Sequence, residues 1–317
     1  MSGAGPWPAR SPRSPHPALE LKSMHRFLLH NDDIRDAGEF GLSPGQVGLL
    51  AGWGVFSTLR VYDGVMFAFE RHWERMRRDA ARIRVPFPAK PEWLESRLQR
   101  LIEANQSVPG QPLNATLRVV IVRNRGGLYE GPAVTRDFDA IAFTVDMVRW
   151  PETVKLGLVP NGRHAASEFA GTKYTSWAEN LTRYERAHQQ GLDEVILLNE
   201  RGEVAECTSA NVFIVDNDHR VWTPPLSSGG LGGVTRAVLL EEIRDAEIAI
   251  AEKPLLPADL SSASEVFITS TTRELLPVVS IEGLPIQGGR TVCDRLRKAF
   301  SAHVNQYVKL RPNPVYN

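Results

Sequence analysis

Strand-like runs in this chain are folded back on themselves by short polar breaks, and no strand–helix unit repeats. Residues 52–62 (GWGVFSTLRVY) read as a strand that Asp63-Gly64 turns into VMFAF. TLRVVIVR (116–123) and FDAIAFTV (138–145) are rich in strand formers and flank a glycine-containing loop over 124–132. Two helix signals lie between these strands. Trp73, Met76, Ala80 and Ile83 recur near helical spacing over 71–84 until Pro86 and Pro88. The segment 91–105 opens on Pro91, suited to a first helical position, and repeats Leu94, Leu98, Leu101 and Ile102. Hairpins with unrepeated helices predict an α+β arrangement for this half.

With 317 residues the chain has room for two cores. Trp150-Pro151 is read as their connection, with a tail over 1–23, a smaller domain over 24–148, a linker over 149–155 and a larger domain over 156–317. The second half opens with VKLGLVP (154–160). A helix is expected after 173, with Trp177, Leu181 and Tyr184 on one face and Gly191 closing it. EVILLN (194–199) and EVAE (203–206) form a hairpin around Arg201-Gly202, and NVFIV (211–215) pairs with RVWTP (220–224). EVFITS (265–270) is a late strand, and a last helix begins near Thr291.

Lysine plus arginine balances aspartate plus glutamate, 37 each, so no global field draws the chain to nucleic acid or an anionic membrane. Small molecules are the expected partners, and no apolar run is long enough to span a bilayer. Two cysteines suit a reducing cytoplasm and are too few for a disulfide framework. The eight histidines show no ligand spacing, so no metal is expected. The first 24 residues, rich in Pro, Ser and Arg, lack the apolar core of a secretory signal and are read as a disordered tail ahead of Met24. On that basis the glycosylation-like triplets at Asn105, Asn114 and Asn180 are taken as chance. GLSPG (41–45) has the spacing of a serine-hydrolase elbow but follows a polar stretch rather than a strand, and is set aside.

Three segments of the second half carry chemistry. EFAGTKYTSWAENL (168–181) brings Lys173 through a small, polar loop into a helix. GEVAECTSANVFIV (202–215) centres a strand on Glu206, with Asn211 placed to tie the bend. SSGGLGGVTRAVLLEEI (227–243) is a glycine-rich loop entering a helix at Val234-Thr235. An amine, an acid and an anion cradle are what pyridoxal phosphate asks of a protein. The lysine holds its aldehyde, the carboxylate meets its ring nitrogen, and free N–H groups at a helix start take its phosphate. Burial would lower the lysine pKa and keep the amine nucleophilic. The hydroxyls of Thr235, Ser270, Thr271 and Thr272 are further phosphate candidates.

Residues 45–300 resemble the fold-type IV (class IV) pyridoxal-phosphate enzymes, which include branched-chain and D-amino-acid aminotransferases and aminodeoxychorismate lyases. GVFSTLRVYDG (54–64), FERHWERM (69–76), GTKYTSWAENL (171–181), EVAECTSANVFIV (203–215), WTPPLSSGGLGGVTR (222–236) and EVFITSTTRELLPV (265–278) carry the likeness. It implies a D-amino-acid-aminotransferase-like, two-domain α/β (α+β) fold: a smaller N-terminal α/β domain and a larger C-terminal one with a β-barrel-like sheet. It implies Lys173 as the catalytic lysine, and Arg75, Glu206, Ser209, Val234, Thr235 and Thr271 as further cofactor contacts. Phe56, Arg60, Trp177 and Thr272 fall on the substrate side. The resemblance also implies a homodimer acting on amino acids and α-keto acids. Ser57 and Thr58 replace the Glu-Gly that follows the phenylalanine in many branched-chain enzymes, and Trp177 stands where a tyrosine is usual. STLR (57–60), the Glu206-Cys207 pair and RNRGG (123–127) lean toward the lyase branch, whereas TPP (223–225) and GVTR (233–236) are closer to transaminases.

Overall fold

The computed structural model describes residues 23–43, 47–106, 111–126, 134–286 and 288–311. The expected tail, part of the GLSPG string and most of the glycine-containing loop after 124 lie outside them. The first half comprises β1 (Met24–His30), β2 (Asp33–Asp36), α1 (Val47–Leu50), β3 (Gly54–Tyr62), β4 (Val65–Met66), α2 (Phe69–Arg82), α3 (Pro91–Ala104), β5 (Ala115–Arg123) and β6 (Phe138–Val145). Its strands form a six-stranded sheet in the order β2-β1-β6-β5-β3-β4, antiparallel throughout.

Strand alternation decides what this sheet shows to each side. Val55, Leu59 and Val61 of β3 pack with Phe69, Trp73, Met76 and Ala80 of α2 and with Leu94, Leu98, Leu101 and Ile102 of α3. Ser57 shares that side and meets His72 of α2. Phe56, Thr58, Arg60 and Tyr62 point the other way, toward the second half. Two expectations change here. The polar NDDIRD stretch contributes to a hairpin, β1 with β2, whose strand pattern its charges conceal. VMFAF holds only the two residues of β4, because Ala68 at φ 52 turns the chain straight into α2.

The second half comprises β7 (Val154–Val159), α4 (Ala178–Gln189), β8 (Glu194–Leu198), β9 (Val204–Cys207), β10 (Asn211–Val215), β11 (Val221–Thr223), α5 (Val234–Glu241), β12 (Ile250–Glu252), α6 (Pro257–Ser262), β13 (Glu265–Ser270), β14 (Glu274–Ile281), β15 (Leu284–Pro285) and α7 (Thr291–Leu310). Eight strands run β12-β11-β10-β13-β14-β7-β8-β9, and β15 pairs with β14. Strand β7 lies parallel to both neighbours, β14 and β8. It starts at Val154, inside the stretch read as a linker.

Phe213, Val215 and Phe267 face α5 and α7, while Val212, Ile214, Val266 and Ile268 face a second cluster. Burial on both faces explains the continuous apolar runs in these strands. Helix α4 departs from its expected stripe: Leu181 is 53% exposed, and Asn180 and Ala187 are buried instead. The reason is position, since α4 borders the mouth of a cavity that Leu181 helps to line.

Candidate active site

The segment bearing Lys173 comes from the second half yet is pinned to the first. Phe56 N donates to Lys173 O (3.2 Å), Thr175 N to Gly54 O (2.9 Å), and Lys173 N to Asp79 Oδ2 on α2 (3.1 Å). Gly171 lets the same segment lie against the glycine-rich loop: its φ is +69°, and a Cβ there would stand 2.8 Å from Gly230 O. The Lys173 amine then lies over the Phe56 ring, 4.4 Å from its centre, and 5.6 Å from that of Trp177. Burial, helped by the Arg75 and Arg118 cations, brings its pKa down to about 7 against the opposing pull of Glu206 and Asp79. Much of this amine is therefore neutral at neutral pH.

Glu206, on β9, is 9% exposed and held through both oxygens. Oε1 accepts from Arg163 Nε (2.8 Å) and Oε2 from Leu231 N (3.0 Å). Arg163 also donates to Asn180 Oδ1 (3.1 Å), and Asn180 Nδ2 donates to Thr208 O (2.8 Å). An ionised carboxylate keeps lone pairs beyond these two bonds and can accept a ring N–H. The sequon at Asn180 is thus a buried structural amide.

The glycine-rich loop closes this wall. Asn211 Nδ2 donates to Leu231 O (2.8 Å), and a Cβ on Gly230 would stand 2.7 Å from Ala205 O. Gly233 enters α5 in an extended conformation with no side-chain cap. The first N–H groups of α5, at Val234 and Thr235, have no intrahelical partner. Both residues line the cavity.

Opposite stands α2. Arg75 Nη2 donates to Ser57 Oγ (2.6 Å), and its buried Nε has no partner among the described residues. The Ser57 hydroxyl, already accepting from Arg75, is also hydrogen-bonded to His72 Nδ1 (2.7 Å). Burial, then the Arg75 and Lys173 charges, hold the His72 pKa well below its usual value, so this imidazole is neutral. Burial lowers the Arg75 pKa to about 10, which still leaves a cation at neutral pH.

These walls enclose a cavity of about 570 Å³. Of the residues singled out from the sequence, Arg75, Lys173, Trp177, Glu206, Ser209, Val234, Thr235, Thr271 and Thr272 line it. Phe56 meets it through the contact with the amine. Arg60 is outside the lining: it is 7% exposed, on the same strand face, with Nε and Nη1 unpartnered among the described residues. The Ser209 hydroxyl is committed, donating to Glu194 Oε2 (2.8 Å) and accepting from Arg273 Nη1 (2.9 Å).

Sequence reasoning missed Arg118, Arg163, Trp150 and Arg273, which also line the cavity. Arg118 donates to Thr58 Oγ1 (3.2 Å) and covers the Phe56 ring at 3.7 Å, with no carboxylate partner among the described residues. Burial brings its pKa to about 10. Its signal was a cation within the apolar run TLRVVIVR. Arg273 is paired with Glu194 (3.3 Å) and lies over the Trp150 ring (4.1 Å).

The arrangement fits pyridoxal phosphate: an orphaned guanidinium N–H and an uncapped helix start for the phosphate, an oriented carboxylate, and an amine of lowered pKa. No group of three or more metal-ligating side chains occurs among the described residues, nor any helix long and apolar enough to cross a membrane.

Comparison with known proteins agrees with this geometry. The family model for class IV aminotransferases matches residues 54–281. The provisionally named branched-chain-amino-acid aminotransferase of Methanocaldococcus jannaschii is 30% identical over 272 residues, 80% of this chain and 88% of that protein. D-alanine aminotransferase of Listeria monocytogenes is 29% identical over 273 residues, 81% of this chain and 86% of that one. The branched-chain aminotransferase structure from Thermoproteus uzoniensis superposes with a TM-score of 0.80 at 24% identity, covering 92% of this chain and 100% of that one. The chain belongs to the class IV aminotransferases, enzymes that work with pyridoxal phosphate.

Proposed function

We propose that this aminotransferase moves the amino group of a branched-chain or related apolar amino acid to an α-keto acid such as 2-oxoglutarate. One observation carries the proposal: the Lys173 amine sits on an aromatic wall of Phe56 and Trp177, beside Arg118, a cation with no carboxylate partner among the described residues. The aromatic wall suits an apolar side chain. The Arg118 guanidinium suits the second carboxylate of a dicarboxylic acceptor. The provisional name of the Methanocaldococcus relative supports the donor class.

Pyridoxal phosphate, when bound, supplies a ring that withdraws electrons from the substrate α-carbon. The protein's part is to bind, orient and move protons. Arg75, Val234, Thr235 and Thr271 would hold the phosphate, and Glu206, kept in place by Arg163, would hold the ring nitrogen. Lys173 would hold the cofactor through its aldehyde and, as a neutral amine, would carry a proton between the substrate α-carbon and the cofactor C4′. Thr272 meets the substrate carboxylate. Phe56 and Trp177 keep water from the amine. Ser209 serves the set by bracing Arg273 rather than through a free hydroxyl. The active form is read as a cytoplasmic homodimer, and sedimentation should give twice the chain mass.

A donor screen with 2-oxoglutarate as acceptor tests the substrate. Glutamate should form from L-leucine or L-valine, whereas turnover confined to D-alanine would replace the donor class. The D-alanine aminotransferase likeness supports that second reading. Ser57 and Thr58 support a third, a lyase, which would release pyruvate from aminodeoxychorismate with no keto acid present.

A further inference from the structure

Strand β3 touches both sides of the cavity. At its start, Gly54 and Phe56 hold the Lys173 segment through backbone hydrogen bonds, reinforced by a bridge between Val55 and Tyr174. At its end, the Tyr62 hydroxyl donates to Glu274 Oε1 at 2.8 Å. Glu274 opens β14 directly after Thr271, Thr272 and Arg273, which join β13 to β14 with Ser270 and Glu274 paired across the turn.

Glu274 is an unexpected occupant of its position. Its φ is 54°, in the left-handed region that favours glycine. A side chain there costs roughly 1 kcal/mol, so a carboxylate at this point has something to do. The other ties of the turn are internal to the second sheet: Arg273 N to Ser270 Oγ (3.2 Å), and the Arg273 guanidinium to Glu194. The bond to Tyr62 crosses between the sheets. The Tyr62 ring is itself fixed, edge-on to Phe67 with centroids 6.0 Å apart and 5.4 Å from the Arg60 guanidinium. Burial, then Glu274, raise the Tyr62 pKa, so the phenol stays a donor at any working pH.

We propose that Tyr62 and Glu274 are positioning residues, a tether through which β3 fixes the Thr271–Thr272 turn relative to Lys173. The inference rests on the reading of that turn as a ligand contact. Backbone strain at Glu274 is what the fold accepts to keep a carboxylate where the first sheet can grip it.

The test is equilibrium binding of pyridoxal phosphate to the full-length protein, followed by tryptophan fluorescence, alongside thermal unfolding without ligand. Tyr62→Phe and Glu274→Gly each remove the bond, and each should raise the dissociation constant roughly fivefold or more. Glu274→Gln keeps an oxygen that accepts from the phenol and should stay within about twofold of wild type. Glu274→Gly also relieves the left-handed residue, so its unfolding midpoint should match or exceed wild type while binding weakens. Wild-type affinity in Tyr62→Phe and Glu274→Gly would overturn the tether, as would a loss that simply follows a fall in unfolding midpoint. Thr271→Val is a separate control. Unchanged binding there withdraws Thr271 as a contact, while Tyr62→Phe still decides the tether by its own dissociation constant.

Discussion

The two walls of the cavity treat their arginines differently. On the second sheet's side each guanidinium has a carboxylate: Arg163 with Glu206, Arg273 with Glu194. On the first sheet's side, Arg75 and Arg118 have none among the described residues, and the buried Nε of Arg75 is without a partner there. Unpaired cations in a partly buried site are costly to keep. The difference teaches that the cations of one wall are already paired, whereas those of the other are complete only when an anion arrives. The phosphate of a cofactor and the carboxylates of its substrates are such anions.

The largest effect should come from breaking the paired wall. Arg273→Met would strand Glu194, whose side chain is 1% exposed. Chemical denaturation should show a loss of roughly 3–5 kcal/mol; a loss below about 1 kcal/mol would mean that the pair contributes little. On the open wall the same kind of change should spare the fold and damage binding. Arg75→Met should weaken pyridoxal phosphate binding roughly a hundredfold, the scale of one or two charge-assisted hydrogen bonds, while the unfolding midpoint holds or rises. Arg118→Met should raise KM for 2-oxoglutarate roughly tenfold with a smaller change for L-leucine, because only the acceptor carries a second carboxylate. Equal losses for both substrates would remove Arg118 from the acceptor's site.

The smallest effect sharpens the electrostatics. Burial and the neighbouring cations depress the Lys173 pKa to about 7, so the neutral, reactive form appears as pH rises through that value. Labelling of Lys173 in cofactor-free protein by an amine-directed reagent should therefore reach half its maximum near pH 7. Removing one of the lowering cations, as in Arg118→Met, should move that midpoint upward. A midpoint near the ordinary lysine value in wild type would contradict the burial argument.

How much of this was legible in the sequence follows the same divide. Lys173, Glu206 and Val234-Thr235 stand on local patterns of a loop into a helix, a strand bent by small residues, and glycines before a helix. Such patterns survive in a linear reading because their geometry is set within a few residues. The partners of those groups do not survive it. Arg163 reaches Glu206 across 43 positions, and Arg273 reaches Glu194 across 79. From sequence, each of these was one more arginine. The β1–β2 hairpin was hidden for another reason: its exposed, charged edge has no apolar alternation to read. Arg60 was expected at the substrate, but alternation places it with Phe56 and Thr58 without fixing how far along β3 the cavity extends.

Every part of this account needs the cofactor to be bonded through one amine. Borohydride reduction of the purified holoenzyme followed by peptide mapping tests that directly. The account predicts a single reduced adduct, on the peptide carrying Lys173 and absent from Lys173→Ala. An adduct on another lysine, or none in a protein that still turns over, would contradict it.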